Sequence, residues 1–215
     1  MDRPESYNGR AATPARLLLI RHGESTWNAR GLWQGQADPP LSERGEAQAR
    51  LAAEELAALA LERVVSSDLR RASRTAEIIS ELLGLGEVVL DSGLREIDVG
   101  DWSGLSRAEI ETKWPGMRVA WSENRLPAAP GGELLSSFTE RIVAAMQRAA
   151  LLSAAGPVLV IGHSKVVSML ERFAGLDPLR ATHLAGRWFR FEPMGRLRGL
   201  EPVNLLGGMR QPAGS

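Results

Sequence analysis

Two uninterrupted aliphatic runs, "LLLI" at 17–20 and "VLVI" at 158–161, constrain the fold of this chain most. A strand with one wet face alternates apolar and polar residues. A strand apolar at every position is covered on both faces, as at the centre of a parallel sheet flanked by helices. Segments of helical periodicity separate the strand candidates. From Ser42, a plausible N-cap, to about Ala60, the residues Ala49, Ala52, Leu56 and Leu59 recur on one face. After the strand "RVVSS" (63–67), Ala72, Ala76, Ile79 and Leu83 do the same, and Gly84 stops the helix. "EVVL" (87–90) is a further strand, and a helix over about 134–153 precedes "PVLVIGH" (157–163). Another helix, broken by Gly175 and Pro178, leads to the alternating strand "GRWFRFEP". The pattern predicts an α/β fold, a three-layer sandwich with a mainly parallel central sheet and helices on both faces.

Composition narrows the chemistry. Lys+Arg and Asp+Glu both number 26, so the chain has no basic excess for general nucleic-acid binding, although a local cationic pocket stays open. There is no cysteine, which removes disulfides and thiolate chemistry. No apolar run is long enough to span a bilayer. The first sixteen residues lack the apolar core of a signal peptide, so a cytoplasmic protein is expected. Residues 1–14 and 209–215 read as tails around one domain at 15–208. Within it, the Gly-, Pro- and Trp-rich segment at about 97–133 reads as a cap insertion carrying a short helix near 106–114.

Ligands of an open parallel sheet bind beyond the carboxyl ends of its strands. There the first strand delivers Arg21-His22-Gly23, "VVSS" delivers "SSDLRRA", and "VLVIG" delivers His163-Ser164-Lys165. A polar cluster, "LREIDVGDWSG" (94–104), follows the third strand. Singly, each has a plainer explanation: a histidine after a strand is usually structural, and helix arginines are usually a solvated face. Together they describe an anion site. Arginine stays charged and matches phosphate oxygens with a planar fork. Neighbouring cations keep an imidazole neutral, and a neutral imidazole can attack phosphorus. A carboxylic acid must then protonate the departing alkoxide, and Glu96 is the best placed.

These residues resemble the histidine phosphatase superfamily, the phosphoglycerate mutase-like proteins. The likeness runs through "RHGESTWNARGLWQGQADPPLSERGEAQA" (21–49), "SSDLRRASRTAE" (66–77), "LREIDVGDWSG" (94–104), "PGGE" (130–133) and "VLVIGHS" (158–164). "RHG" alone is a weak signal; five blocks in family order are a strong one. The resemblance implies that His22 is the phosphorylated nucleophile and that Arg21 and Arg71 hold the phosphoryl oxygens. It implies that His163 donates to the same group and that Glu96 is acid, then base. It assigns Asn28 and Gln34 to phosphoryl or substrate contact and leaves Arg70 and Arg74 on the helix face. It implies no cofactor and no metal.

The chain departs from the family where Ser164-Lys165 follows the second histidine, a place where glycine is usual. Ser164 could cap the helix and touch substrate. Lys165 either points to solvent, the simpler expectation, or meets a substrate anion. Trp102, Trp114 and Trp121, with Arg118 and Arg125, fall in the cap and would shape substrate choice; packing within the cap is the plainer role for the tryptophans. "GDWSGLSRAEIETKWPG" is closer to the phosphatase branch than to the mutases. The expected activity is hydrolysis of a small phosphorylated metabolite, such as a sugar phosphate or phospho-sugar acid. A mutase and a catalytically idle phosphoester-binding protein are the alternatives. A histidine metal site is disfavoured because His183 lies beyond the core motifs. No membrane or nucleic-acid partner is expected, and a homodimer is left open.

Overall fold

The computed structural model describes residues 14–154, 156–179, 181–192 and 196–207. The two expected tails, Pro14 apart, lie outside those residues. In chain order the elements are β1 (Ala15–Arg21), α1 (Thr26–Ala29), α2 (Glu43–Leu56), β2 (Arg63–Ser66), α3 (Arg70–Leu83), β3 (Val89–Leu90), α4 (Arg107–Lys113), α5 (Met117–Ser122), α6 (Leu135–Leu151), β4 (Val158–Gly162), α7 (Ser164–Phe173), β5 (Ala185–Phe191) and β6 (Leu197–Asn204). The strands form one six-stranded sheet in the order β3-β2-β4-β1-β5-β6. Pairing is parallel from β3 to β1 and antiparallel for β5 and β6.

The aliphatic runs sit where their composition requires. β1 and β4 are neighbours at the centre, with Leu17–Ile20 and Val158–Ile161 wholly buried. Alternate side chains point to opposite faces. Leu17, Leu19, Val158 and Val160 pack with Phe138, Ile142 and Leu170 of α6 and α7. Leu18, Ile20, Leu159 and Ile161 pack with Ala52, Leu56, Ala76 and Ile79 of α2 and α3. Burying a side chain of this size contributes about 1.5–3 kcal/mol.

Ser42 caps α2 by accepting from the Gly45 amide, and Gly84 ends α3 in the left-handed region at φ 65°. α2 stops at Leu56, and Ala57–Leu59 tightens into a 3-10 turn. "EVVL" pairs only over Val89–Leu90, because it forms the sheet edge beside β2. β6 and α5 had no clear sequence signal. Gly199 and Pro202 interrupt the β6 pattern, which an edge strand tolerates.

One buried ion pair ties α7 to the antiparallel half of the sheet. Glu171 accepts from Arg187 Nε at 2.7 Å and from the Leu179 amide at 2.9 Å. Arg187 also donates to the Leu200 carbonyl. Breaking such a pair from one side strands a buried charge. Glu171→Ala is expected to cost about 3–5 kcal/mol of stability, seen as a lower urea midpoint with an unchanged slope. A midpoint within error of the parent would show that Arg187 finds another partner.

Candidate active site

The sheet register brings the two motif histidines together. Arg21 pairs with Gly162 on the last rung between β1 and β4, so His22 and His163 each stand one residue beyond it. The His22 amide donates to the Gly162 carbonyl at 3.0 Å, closing the edge. The two imidazoles lie 5.1 Å apart between ring centroids. Gly23 and Gly45 let the loop after β1 lie against the start of α2. A Cβ on Gly23 would stand 2.6 Å from the Gly45 carbonyl oxygen, and one on Gly45 would stand 2.0 Å from that of Glu24. The Gly23 amide donates to Thr75 Oγ1, which itself donates to the Arg71 carbonyl, so the loop is also tied to α3.

Hydrogen bonds assign the histidine protons. His22 Nδ1 lies 2.5 Å from the Gly23 carbonyl oxygen, which can only accept. Nδ1 therefore carries the proton and Nε2 the lone pair. Burial, then His163, Arg71 and Arg21, hold the His22 pKa well below its ordinary value. His163 is likewise lowered by burial and by Arg71, Arg21 and Arg141. Its Nε2 is 2.9 Å from Ser67 Oγ, which already accepts from the Leu69 amide. When Ser67 donates its own proton to Nε2, the N–H of His163 is Nδ1, a buried atom with no protein partner. With Ser67 as the donor, the site offers a neutral nucleophile next to an unused N–H donor.

Arg71 is almost wholly buried at the start of α3. Its two terminal nitrogens donate to the carbonyls of Ala37 and Gly35 at 2.7 and 2.8 Å, and its buried Nε has no partner. Burial pushes its pKa down to about 10, so it stays cationic at neutral pH. Arg21 donates to the Ala181 carbonyl at 3.1 Å. Arg70 is exposed, and Arg74 pairs with Glu46 and Glu77 on the helix face. Asn28 completes a capping box with Ser25, and Ser25 Oγ donates to Gln34 Oε1 at 2.7 Å. Both amide oxygens are therefore occupied, which leaves the NH2 groups as donors.

Glu96 is held from both sides: Oε1 accepts from the Ile97 amide at 3.0 Å and Oε2 from the Lys165 amide at 3.1 Å. The loop beneath it is braced by Arg141. That guanidinium donates to the Gly93, Arg95 and Glu96 carbonyls and to both oxygens of Glu133, the last residue of "PGGE".

Two expectations are corrected. Ser164 does not cap α7: it is the first helical residue, and His163 occupies the N-cap without a side-chain bond. Lys165 does not point to solvent. Its ammonium lies 4.3 Å from the Trp121 ring centroid, and burial lowers its pKa. Trp102 and Trp121 are buried and meet Trp33 in edge-to-face contacts, so their main role is packing, while Trp114 is only half-buried. Arg125 pairs with Glu123 at the surface, whereas Arg118 is half-buried.

His183 lies beyond the core motifs in sequence, yet its ring centroid lies 6.2 Å from that of His22. Its Nε2 is 3.3 Å from Asn28 Oδ1, and burial with Arg21 and Arg44 nearby pushes its pKa down to about 3. The segment carrying it docks on the end of β1 through the Leu184 amide, which donates to the Arg21 carbonyl. Leu184 accepts a left-handed φ of 54° to make this turn. No linear motif marks this contact. Among the described residues, no group of three or more His, Asp or Glu side chains is placed to hold a metal ion.

The family model of the histidine phosphatase superfamily (branch 1) matches residues 17–186, and the chain belongs to that family. It is 47% identical over 118 residues to the glucosyl-3-phosphoglycerate phosphatase of Mycobacterium tuberculosis. That alignment covers 55% of this chain and 52% of the relative, so the chain spans about half the length of that protein. It is 35% identical over 157 residues to a probable phosphoglycerate mutase GpmB of Salmonella choleraesuis, covering 72% of each. The structure of a mycobacterial glucosyl-3-phosphoglycerate phosphatase complexed with VO3 superimposes with a TM-score of 0.76 at 32% identity, covering 86% of this chain and 96% of that one.

Proposed function

We propose that the chain is a metal-independent phosphomonoesterase acting in the cytoplasm on a small phosphorylated metabolite of the phospho-sugar acid class. The observation that carries this reading is the pair of neutral imidazoles 5.1 Å apart, between two arginines. His22 Nε2 attacks phosphorus as the ester P–O bond breaks, giving phosphohistidine and an alkoxide. Glu96 gives that oxygen its proton. Water then attacks phosphorus, Glu96 takes a proton back, and inorganic phosphate leaves with His22 restored. Arg21, Arg71 and His163 Nδ1–H carry the charge of the equatorial oxygens, and the Asn28 and Gln34 amides add donors. The phospho-sugar acid class follows the names of the relatives, glucosyl-3-phosphoglycerate phosphatase above all.

The likeness to GpmB keeps a mutase as the second reading. Incubation with 3-phosphoglycerate and a bisphosphoglycerate primer separates the two. The expected result is free phosphate, in the presence of EDTA, with little isomer. Rapid isomerisation with little phosphate would establish the mutase. No phosphate from any of a panel of sugar-acid phosphates, nor from p-nitrophenyl phosphate, would mark an idle binder.

A further inference from the structure

We propose that Lys165, seated on Trp121, is the recognition point for a carboxylate carried by the leaving group; this rests on the phosphatase reading above. The backbone of Lys165 is one hydrogen bond from the acid, since its amide donates to Glu96 Oε2. A group that receives a proton from Glu96 has its carbon skeleton on the same side of the pocket. The Lys165 ammonium lies over the buried Trp121 ring and within the electrostatic reach of Glu96.

Its placement has no sufficient structural reason. It is the second residue of α7, at the helix end where a cation opposes the macrodipole. It is half-buried, and among the described residues no carboxylate forms an ion pair with it within 4 Å. A ring face offsets only part of that cost. Glu96 is near enough to favour the charged amine, but both Glu96 oxygens already accept backbone N–H groups and do not need the ammonium to hold them. A bound anion would supply the missing partner. One ammonium balances the single charge of a carboxylate, whereas a second phosphate would bring about −1.5 to −2. Trp121 fixes where that charge sits.

The test compares 3-phosphoglycerate with glycerol 3-phosphate, which differ only in a carboxylate against a hydroxymethyl group, with p-nitrophenyl phosphate as a third ester. Wild type is expected to prefer 3-phosphoglycerate. In Lys165→Met that preference, as the ratio of kcat/KM values, should fall about tenfold, mostly through KM, and Lys165→Arg should restore much of it. An unchanged ratio overturns the proposal, whether because neither ester is affected or because both lose kcat equally, as they would if Lys165 acted only through Glu96. A wild type that shows no preference overturns it too. A wild type that cleaves none of the three esters sinks the phosphatase reading itself, and the proposal with it.

Discussion

His22→Ala is expected to lower turnover by about 10⁴-fold or more and to abolish an acid-labile phosphoenzyme in rapid-quench mass measurements. The size follows from what the imidazole supplies. Its Nδ1 proton is fixed on the Gly23 carbonyl, so Nε2 always presents a lone pair. Burial foremost, then His163, Arg71 and Arg21, keep the ring neutral at neutral pH, so no free energy is spent on deprotonating it before attack. Alanine leaves the arginines and His163 in place. Phosphate should therefore still bind, and only the covalent step should vanish. The fold should survive, because the β1–β4 rung at this edge is made by the His22 backbone and not its ring. A folded variant that keeps normal turnover, or still forms a phosphoenzyme, would remove His22 from the role of nucleophile.

How much of this was legible in the sequence depends on how each residue is placed. His22 and His163 follow directly from strands whose apolar composition fixes them at the sheet centre, so local pattern and tertiary position coincide. Arg71 stood among three helix arginines, and only the family pattern distinguished it; the structure shows it as the buried one. Glu96 was readable as an acid after the third strand, but its hold by the Lys165 amide and by Arg141 joins segments far apart in the chain. The nearness of His183 to His22 and the burial of Lys165 escape the sequence for the same physical reason. The His183 segment turns back through the left-handed Leu184, and Lys165, on α7, lies under Trp121 of a short helix, α5, that the Gly- and Pro-rich segment conceals. Side-chain direction at such places is set by packing and leaves no periodic trace.

Glu96→Gln is expected to reduce kcat/KM for an alkyl phosphate by about 10²–10⁴-fold, and far less for p-nitrophenyl phosphate. The contrast isolates proton donation, because an alkoxide leaves poorly without a proton and p-nitrophenolate leaves readily. The comparison must use kcat/KM, which ends at the first irreversible step. Glu96 also serves the second step as base for water, and loss of that role would slow kcat for both esters alike. Glutamine keeps the length and one acceptor oxygen, but it turns an NH2 toward either the Ile97 or the Lys165 amide, donor against donor. That mismatch costs both substrates equally and cancels in the ratio. With the activated ester, phosphohistidine should form at nearly its normal rate and then wait for water, so a burst of p-nitrophenol close to one equivalent should precede a slow steady state. Equal loss of kcat/KM on both esters, without a burst, would mean that Glu96 positions the 93–97 loop but does not move the proton.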